Sequence, residues 1–158
     1  MTESRDLPSD RPSGRQAIGQ LLVRLLREFR QELAAPRAEH GYDDLRDAHM
    51  QVFGNIAEGD IRLTELGARA QLSLAAISEL VNELEALGYL ARRPDPMDGR
   101  AKLIALTQRG HRLMADAGRR VAEIETSWSV IVGADRFQAA CAVMQELLDE
   151  LDPENARR

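Results

Sequence analysis

Apolar residues recur three and four positions apart along most of this chain, the spacing of helices that each bury one face. The first such run is Ile18, Leu21, Leu22, Leu25, Phe29 and Leu33. Ser13 and Gln16 in front of it read as a capping box, and Pro36 ends the helix near Ala35. A second helix is expected to start between Asp43 and Asp47, with Leu45, His49, Val52, Phe53 and Ile56 inward and "EGD" (58–60) as its break. A short helix follows over Leu63 to Gln71, with Leu66 and Ala70 inward. Ser73 then caps a helix running to about Leu87, whose core face is Ile77, Leu80, Val81, Leu84 and Leu87. Gly88 is placed to stop it.

The period then changes. Strands are expected near Tyr89–Arg93 and Lys102–Leu106, with Asp98-Gly99 as the tight turn and the two prolines keeping Pro94–Met97 out of a regular ladder. Thr107 can cap a long helix with the stripe Leu113, Ala117, Val121, Ile124, Trp128 and Ile131. Gly133 interrupts, and Asp135 is read as the cap of a last helix with Phe137, Ala140, Cys141, Met144, Leu148 and Leu151 inward. Two helices joined by about one residue of turn and followed by a hairpin make a winged helix-turn-helix. The expected fold is therefore mainly α with a two-stranded wing. Residues 1–13 are expected to be a disordered tail, 14–42 a dimerisation helix and its connection, and 43–107 the DNA-binding winged helix. Residues 108–152 would be C-terminal dimerisation helices and 153–158 a tail. The outer helices carry apolar stripes that a winged helix cannot cover alone, so a second copy of the chain is the expected cover.

At 158 residues the chain suits one compact domain with helical extensions. Aromatics at 4% disfavour a sandwich or barrel. The net charge is −5, so any nucleic-acid contact must come from a local patch. One such patch exists. Arg92, Arg93, Arg100, Lys102, Arg109 and Arg112, set against Asp95 and Asp98, give residues 90–112 a net +4. The single cysteine, Cys141, permits no intramolecular disulfide, and the N-terminus lacks the apolar core of a signal peptide. No run is long enough to span a membrane, so a cytoplasmic location is expected.

The stretch "LTELGARAQLSLAAISELVNELEALGYLARRPDPMDGRAKLIALTQRG", Leu63 to Gly110, resembles MarR-family transcriptional regulators. The resemblance is carried by Leu66-Gly67, Ser73, Leu84-Glu85-Ala86-Leu87-Gly88-Tyr89, Arg92 to Arg100, and Leu106-Thr107-Gln108-Arg109-Gly110. It implies a homodimer of winged helices on a near-palindromic DNA operator, acting as a repressor that a small, often aromatic, effector releases. The residues that would meet DNA are Ser73, Ala75, Ala76, Ser78 and Glu79 in the major groove and Arg92, Arg93, Asp98, Arg100 and Lys102 on the wing. Arg100 is read as a minor-groove probe whose guanidinium Asp98 holds. Relatives commonly place an arginine near Glu79. This helix has Glu79, Glu83 and Glu85 and no basic residue.

An effector pocket is expected near Leu25, Phe29, His49, Phe53 and Met114. Some relatives sense zinc through histidines, but His40, His49 and His111 form no close pair in sequence, so no metal is expected. No nucleophile-base pair or nucleotide-binding loop is visible, so neither an enzyme nor a cofactor is expected. A buried Cys141 would be inert. The rival reading is a winged-helix protein-interaction module whose acidic helix binds protein in place of DNA.

Overall fold

The computed structural model describes residues 16–35, 40–56 and 59–151. Ser13, half of the expected capping box, lies outside them, as do Pro36 and Glu58. The first helix, α1, spans Ile18–Ala34, with Ala17 at its N-cap and no side-chain cap. α2 spans Asp47–Ile56, β1 Ile61–Arg62, α3 Leu63–Arg69 and α4 Leu74–Ala86. β2 (Leu90–Asp95) and β3 (Asp98–Leu106) lead into α5 (Gln108–Val132) and α6 (Ala134–Leu151).

The core belongs to the winged helix. Val52, Phe53 and Ile56 of α2, Leu66 of α3 and Ile77, Val81 and Leu84 of α4 close over Tyr89, Leu90 and Ile104 of the wing. Ala70, Leu80 and Leu87, expected inward, are only partly buried at its edge. Two helix ends use the same device. After α3, Leu72 N–H donates to Gly67 O (2.9 Å) and Gln71 N–H to Ala68 O (3.2 Å); after α4, Tyr89 N–H donates to Leu84 O (2.9 Å) and Gly88 N–H to Glu85 O (3.0 Å). Both are Schellman ends, which need a left-handed residue. Gly88 supplies φ +77° at the second, whereas Gln71 takes φ +54° at the first. Gly67 lets the two helices close up, because a Cβ there would sit 3.2 Å from Ile77 Cγ2.

Three features of the wing differ from expectation. The sheet has three strands in the order β1-β3-β2, since Ile61 and Arg62 pair with Ile104 and Leu103. β2 runs through Pro94, which pairs with Lys102, and on to Asp95, which pairs with Asp98. The turn is therefore Pro96-Met97, and Asp98-Gly99 open β3. Proline lacks the ladder N–H, but it sits on an edge strand beside a register irregularity, where that loss is tolerated.

The outer helices also depart from expectation. No residue of α1 or α6 is buried. Of the expected inward set on α6, Phe137 and Cys141 are half-buried; Ala140, Met144, Leu148 and Leu151 are exposed. On α5, Leu113 and Ile124 are buried, but Ile131 is 76% exposed. Asp135 lies inside the first turn of α6, after Gly133 at φ +92°. The stripes are present, yet a single chain offers them too little cover. α1 is tied to α5 by Trp128 Nε1, which donates to Glu32 Oε1 at 2.9 Å, and by the edge-on Phe29–Trp128 ring pair. No described helix is long and apolar enough to cross a membrane.

Candidate nucleic-acid interface

α4 begins with a working cap: Ser73 Oγ accepts from Ala76 N–H at 3.2 Å. Capping of this kind stabilises a helix start by about 1 kcal/mol. Ser73, Ala75 and Glu79 are exposed, and Ala76 and Ser78 are half-buried. The three glutamates of α4 are not equivalent. Glu83 accepts from Arg46 and from His49 Nε2 (2.8 Å). His49 is 2% exposed, and its Nδ1 accepts from Arg46 N–H at 3.1 Å, which puts the ring proton on Nε2. Those two bonds, His49 first, hold the Glu83 carboxyl below its ordinary range. Glu85 is paired with Arg92. Glu79 has no ion pair among the described residues.

The wing is anchored at its tip. Asp95 Oδ1 accepts from Met97 N–H at 2.8 Å, and Asp95 Oδ2 accepts from Arg62 Nε and Nη2 at 2.9 and 2.5 Å. The backbone bond and then Arg62 hold the Asp95 carboxyl below the usual aspartate range. Asp98 does not grip the Arg100 guanidinium. Its Oδ1 accepts from the Arg100 backbone N–H at 3.1 Å, a local turn bond that competes with the expected one. Arg100 and Lys102 are exposed and make no ion pair among the described residues. Side chains alternate along a strand, so Arg100, Lys102 and Ile104 share one face of β3, and Pro94 and Arg92 of β2 lie opposite on that same face. It is the face turned to α4, because Arg92 donates to Glu85 and, at 2.7 Å, to Asn82 Oδ1. Arg92 is thus committed to joining wing and helix. Arg93 points the other way, 3.9 Å from Asp60.

The close of the family-like stretch is a joint. Thr107 Oγ1 accepts from Gly110 N–H (3.2 Å) and donates to the carbonyls of Gly88 (2.6 Å) and Tyr89 (3.1 Å). A Cβ on Gly110 would clash with the Tyr89 carbonyl oxygen and sit 2.9 Å from Leu106 Cδ2. Arg109, which the sequence offers as a charge for DNA, lies over the Tyr89 ring at 4.1 Å, pairs with Asp44 (2.9 Å) and donates to Leu87 O (2.6 Å). Tyr89 OH donates to Asp44 Oδ1 at 2.7 Å, and burial followed by that bond raises its pKa.

The five residues expected around an effector do not meet. Leu25 and Phe29 line an open apolar cleft of about 610 Å³ between α1, α5 and α6, with Trp128, Phe137 and Cys141. His49 and Phe53 are in the winged-helix core, and Met114 packs against it. At the junction of α1, α2 and α5 lies a smaller cavity, about 140 Å³, lined by Leu33, His40, Tyr42, Met50, Asp116 and Arg119 among others. Tyr42 OH donates to Asp116 Oδ2 at 2.5 Å there; burial, then Asp116, raises the tyrosine pKa, and the Tyr42 bond leads in lowering that of Asp116. Among the described residues no group of three or more His, Cys, Asp or Glu is placed to hold a metal ion.

Asn82 and Arg46 were not singled out from sequence. Asn82 lies one turn beyond Ser78 and Glu79 on the same face, and that spacing was the available signal. Residues 43–101 match the model of the MarR family. The E. coli MarR structure, in its apo form, superposes with a TM-score of 0.68 at 20% identity, covering 85% of this chain and 98% of that one. The CouR structure from Rhodococcus jostii, bound to p-coumaroyl-CoA, gives 0.68 at 28% identity over 86% and 92%. A mutant of S. aureus MepR bound to an oligodeoxyribonucleotide gives 0.57 at 18% identity over 87% and 99%. No curated protein matches the chain. The chain has the winged-helix fold of MarR-family transcriptional regulators.

Proposed function

We propose that this chain is a cytoplasmic, dimeric DNA-binding transcriptional regulator, a repressor released by a small effector, with no enzymatic activity. The observation that carries the reading is the shared face of α4 and the wing. Arg100 and Lys102 make no ion pair among the described residues and stand beside a capped helix whose Glu83 and Glu85 are already neutralised from within. Ser73, Ala75, Ala76 and Ser78 would approach the major groove, where small side chains allow close contact and a helix N-terminus favours phosphate. Arg100 would enter the minor groove, where negative potential is enhanced when the groove is narrow. Arg93 would add phosphate attraction from the far side of the wing, while Arg92 and Asp98 act by shaping it. The oligonucleotide carried by the MepR relative supports the assignment.

The dimer is supported by apolar residues that the chain leaves uncovered: Ile18 and Val23 of α1, Val130 and Ile131 of α5, and Leu148 and Leu151 of α6. The effector would enter the cavity between α1, α2 and α5, at the junction of winged helix and outer helices, in place of the scattered set Leu25, Phe29, His49, Phe53 and Met114. The ligand held by the CouR relative supports a small-molecule effector, and an aromatic acid is the class to screen first.

A protein-interaction role is favoured by one observation, an exposed Glu79 with no ion pair among the described residues on a chain of net charge −5. Capture of genomic fragments by purified protein, with light scattering on the same sample, separates the readings. A recurrent near-palindromic fragment and twice the chain mass support the regulator. A monomer with no enriched fragment rejects it.

A further inference from the structure

α4 offers a ligand only one of its three carboxylates. Glu83 is taken by Arg46 and His49, and Glu85 by Arg92. Glu79 remains, exposed, in the second turn of the helix. Asn82 follows at i+3 and so stands beside it on the same face. Arg92 Nη2 donates to Asn82 Oδ1 at 2.7 Å. A guanidinium has no acceptor, so the oxygen of this amide must be the atom that faces Arg92. The amide nitrogen is therefore the end that Arg92 does not engage, and it can only donate. The groove side of α4 thus presents an acceptor with no hydrogen to give, next to an amide fixed as a donor.

We infer that Glu79 and Asn82 are a specificity pair, in which Glu79 selects a cytosine and Asn82 a neighbouring guanine or thymine. The inference rests on the DNA-binding reading above. In the major groove only two groups donate, cytosine N4 and adenine N6. Adenine sets its N7 acceptor beside N6, and N7 repels a carboxylate. Cytosine sets a C–H there. Guanine and thymine would face the carboxylate with acceptors alone, leaving a desolvated charge unpartnered. Asparagine ordinarily reads adenine with its oxygen and nitrogen together. With the oxygen held by Arg92, its nitrogen is left to seek guanine O6 or N7, or thymine O4. The glutamate adds no affinity through phosphates, which it repels. Its contribution is to make wrong bases costly, while the wing supplies attraction.

The test is selection from random duplexes with wild-type protein, followed by anisotropy on the selected duplex and its single-base variants at several salt concentrations. Wild type should fix one cytosine in each half-site. Replacing that base should weaken binding about tenfold, the order of one mismatched pair. Glu79→Ala should lose that discrimination to within about twofold and bind scrambled DNA no worse than wild type. Glu79→Gln should move the preference at that position from cytosine to adenine, because glutamine pairs with N6 and N7 together. Asn82→Ala should flatten an adjacent position and leave the cytosine preference in place. Thermal melts of each variant confirm folding. If Glu79→Ala keeps every base preference of wild type, the specificity pair is wrong although DNA binding stands. If wild type selects no duplex and shows no salt dependence, the DNA-binding reading falls and takes the pair with it.

Discussion

Gly110→Ala adds one carbon at the joint between the wing and α5. Its Cβ would clash with the Tyr89 carbonyl oxygen and sit 2.9 Å from Leu106 Cδ2. The carbonyl cannot simply retreat. It accepts from Thr107 N–H at 3.0 Å and from Thr107 Oγ1 at 3.1 Å, and the strand behind it is paired. Overpacking of this kind costs about 1–3 kcal/mol. Losing one of those bonds adds about 1 kcal/mol. Alanine returns up to about 1 kcal/mol through helix propensity. The net loss is therefore about 1–3 kcal/mol. At about 2–4 °C per kcal/mol for a chain of this length, the melt should fall by roughly 2–12 °C. Gly118→Ala is the control. It sits on the same helix with no atom within 4 Å of a Cβ, so it should hold or raise the melting temperature by the propensity gain alone. Both are read by circular dichroism at one fixed protein concentration, because association shifts the melt. Equal melts for Gly110→Ala and Gly118→Ala would refute the close-approach argument.

Gln71 pays for a left-handed conformation that glycine adopts freely; Gln71→Gly should gain about 0.5–1 kcal/mol, the conformational relief less glycine's entropy, and a lower denaturation midpoint would contradict this. Asp98→Asn keeps an acceptor for the Arg100 N–H and removes a charge, so it should tighten binding to scrambled DNA and flatten no base preference; weaker binding in anisotropy would show that the carboxylate itself is needed. Asp95 has a depressed pKa, so the anchorage it gives is complete above the ordinary aspartate range and lost as pH falls through its own lower value. The amide shift of Met97 in NMR should accordingly be flat from pH 7 to 5 and titrate with a midpoint below about 3.9, the ordinary aspartate pKa. A midpoint at or above that value would contradict the anchorage.

The parts of the fold that local chemistry decides were legible. Ser73, Gly88 and Thr107 each do what their residue type and position imply, because caps involve neighbours in sequence. β1 was not legible: two residues carry no periodicity, and their partners lie some forty positions on. The turn was misplaced for a related reason. Asp98-Gly99 is the stronger local signal, but the ladder continues through Pro94 and Asp95, and long-range pairing sets the register. The charges on α4 could not be sorted from sequence, since the groups that hold Glu83 are His49 of α2 and Arg46 just before it, more than thirty positions away. Periodicity also shows that a face is apolar without showing what covers it. Leu25 and Phe29 face the cleft toward α5 and α6, while His49 and Phe53 are in another core. Among the expected DNA contacts, Arg100 and Lys102 lie on the face turned to α4, and Arg92 is spent inside the protein.

On the proposed reading, α4 and the wing together hold duplex DNA. It is tested most directly by the salt dependence of binding to the captured operator, for wild type and Arg100→Ala. Phosphate contacts release counterions, so log affinity should fall steeply with log salt for wild type. Arg100→Ala should weaken operator binding by roughly 1–3 kcal/mol and lower the slope by about one unit per subunit. Its melting temperature should match wild type, since an exposed wing arginine contributes little to folding. A flat salt response would show that the protein does not hold DNA through its phosphates, and an Arg100→Ala protein with wild-type affinity and slope would show that Arg100 does not enter the groove.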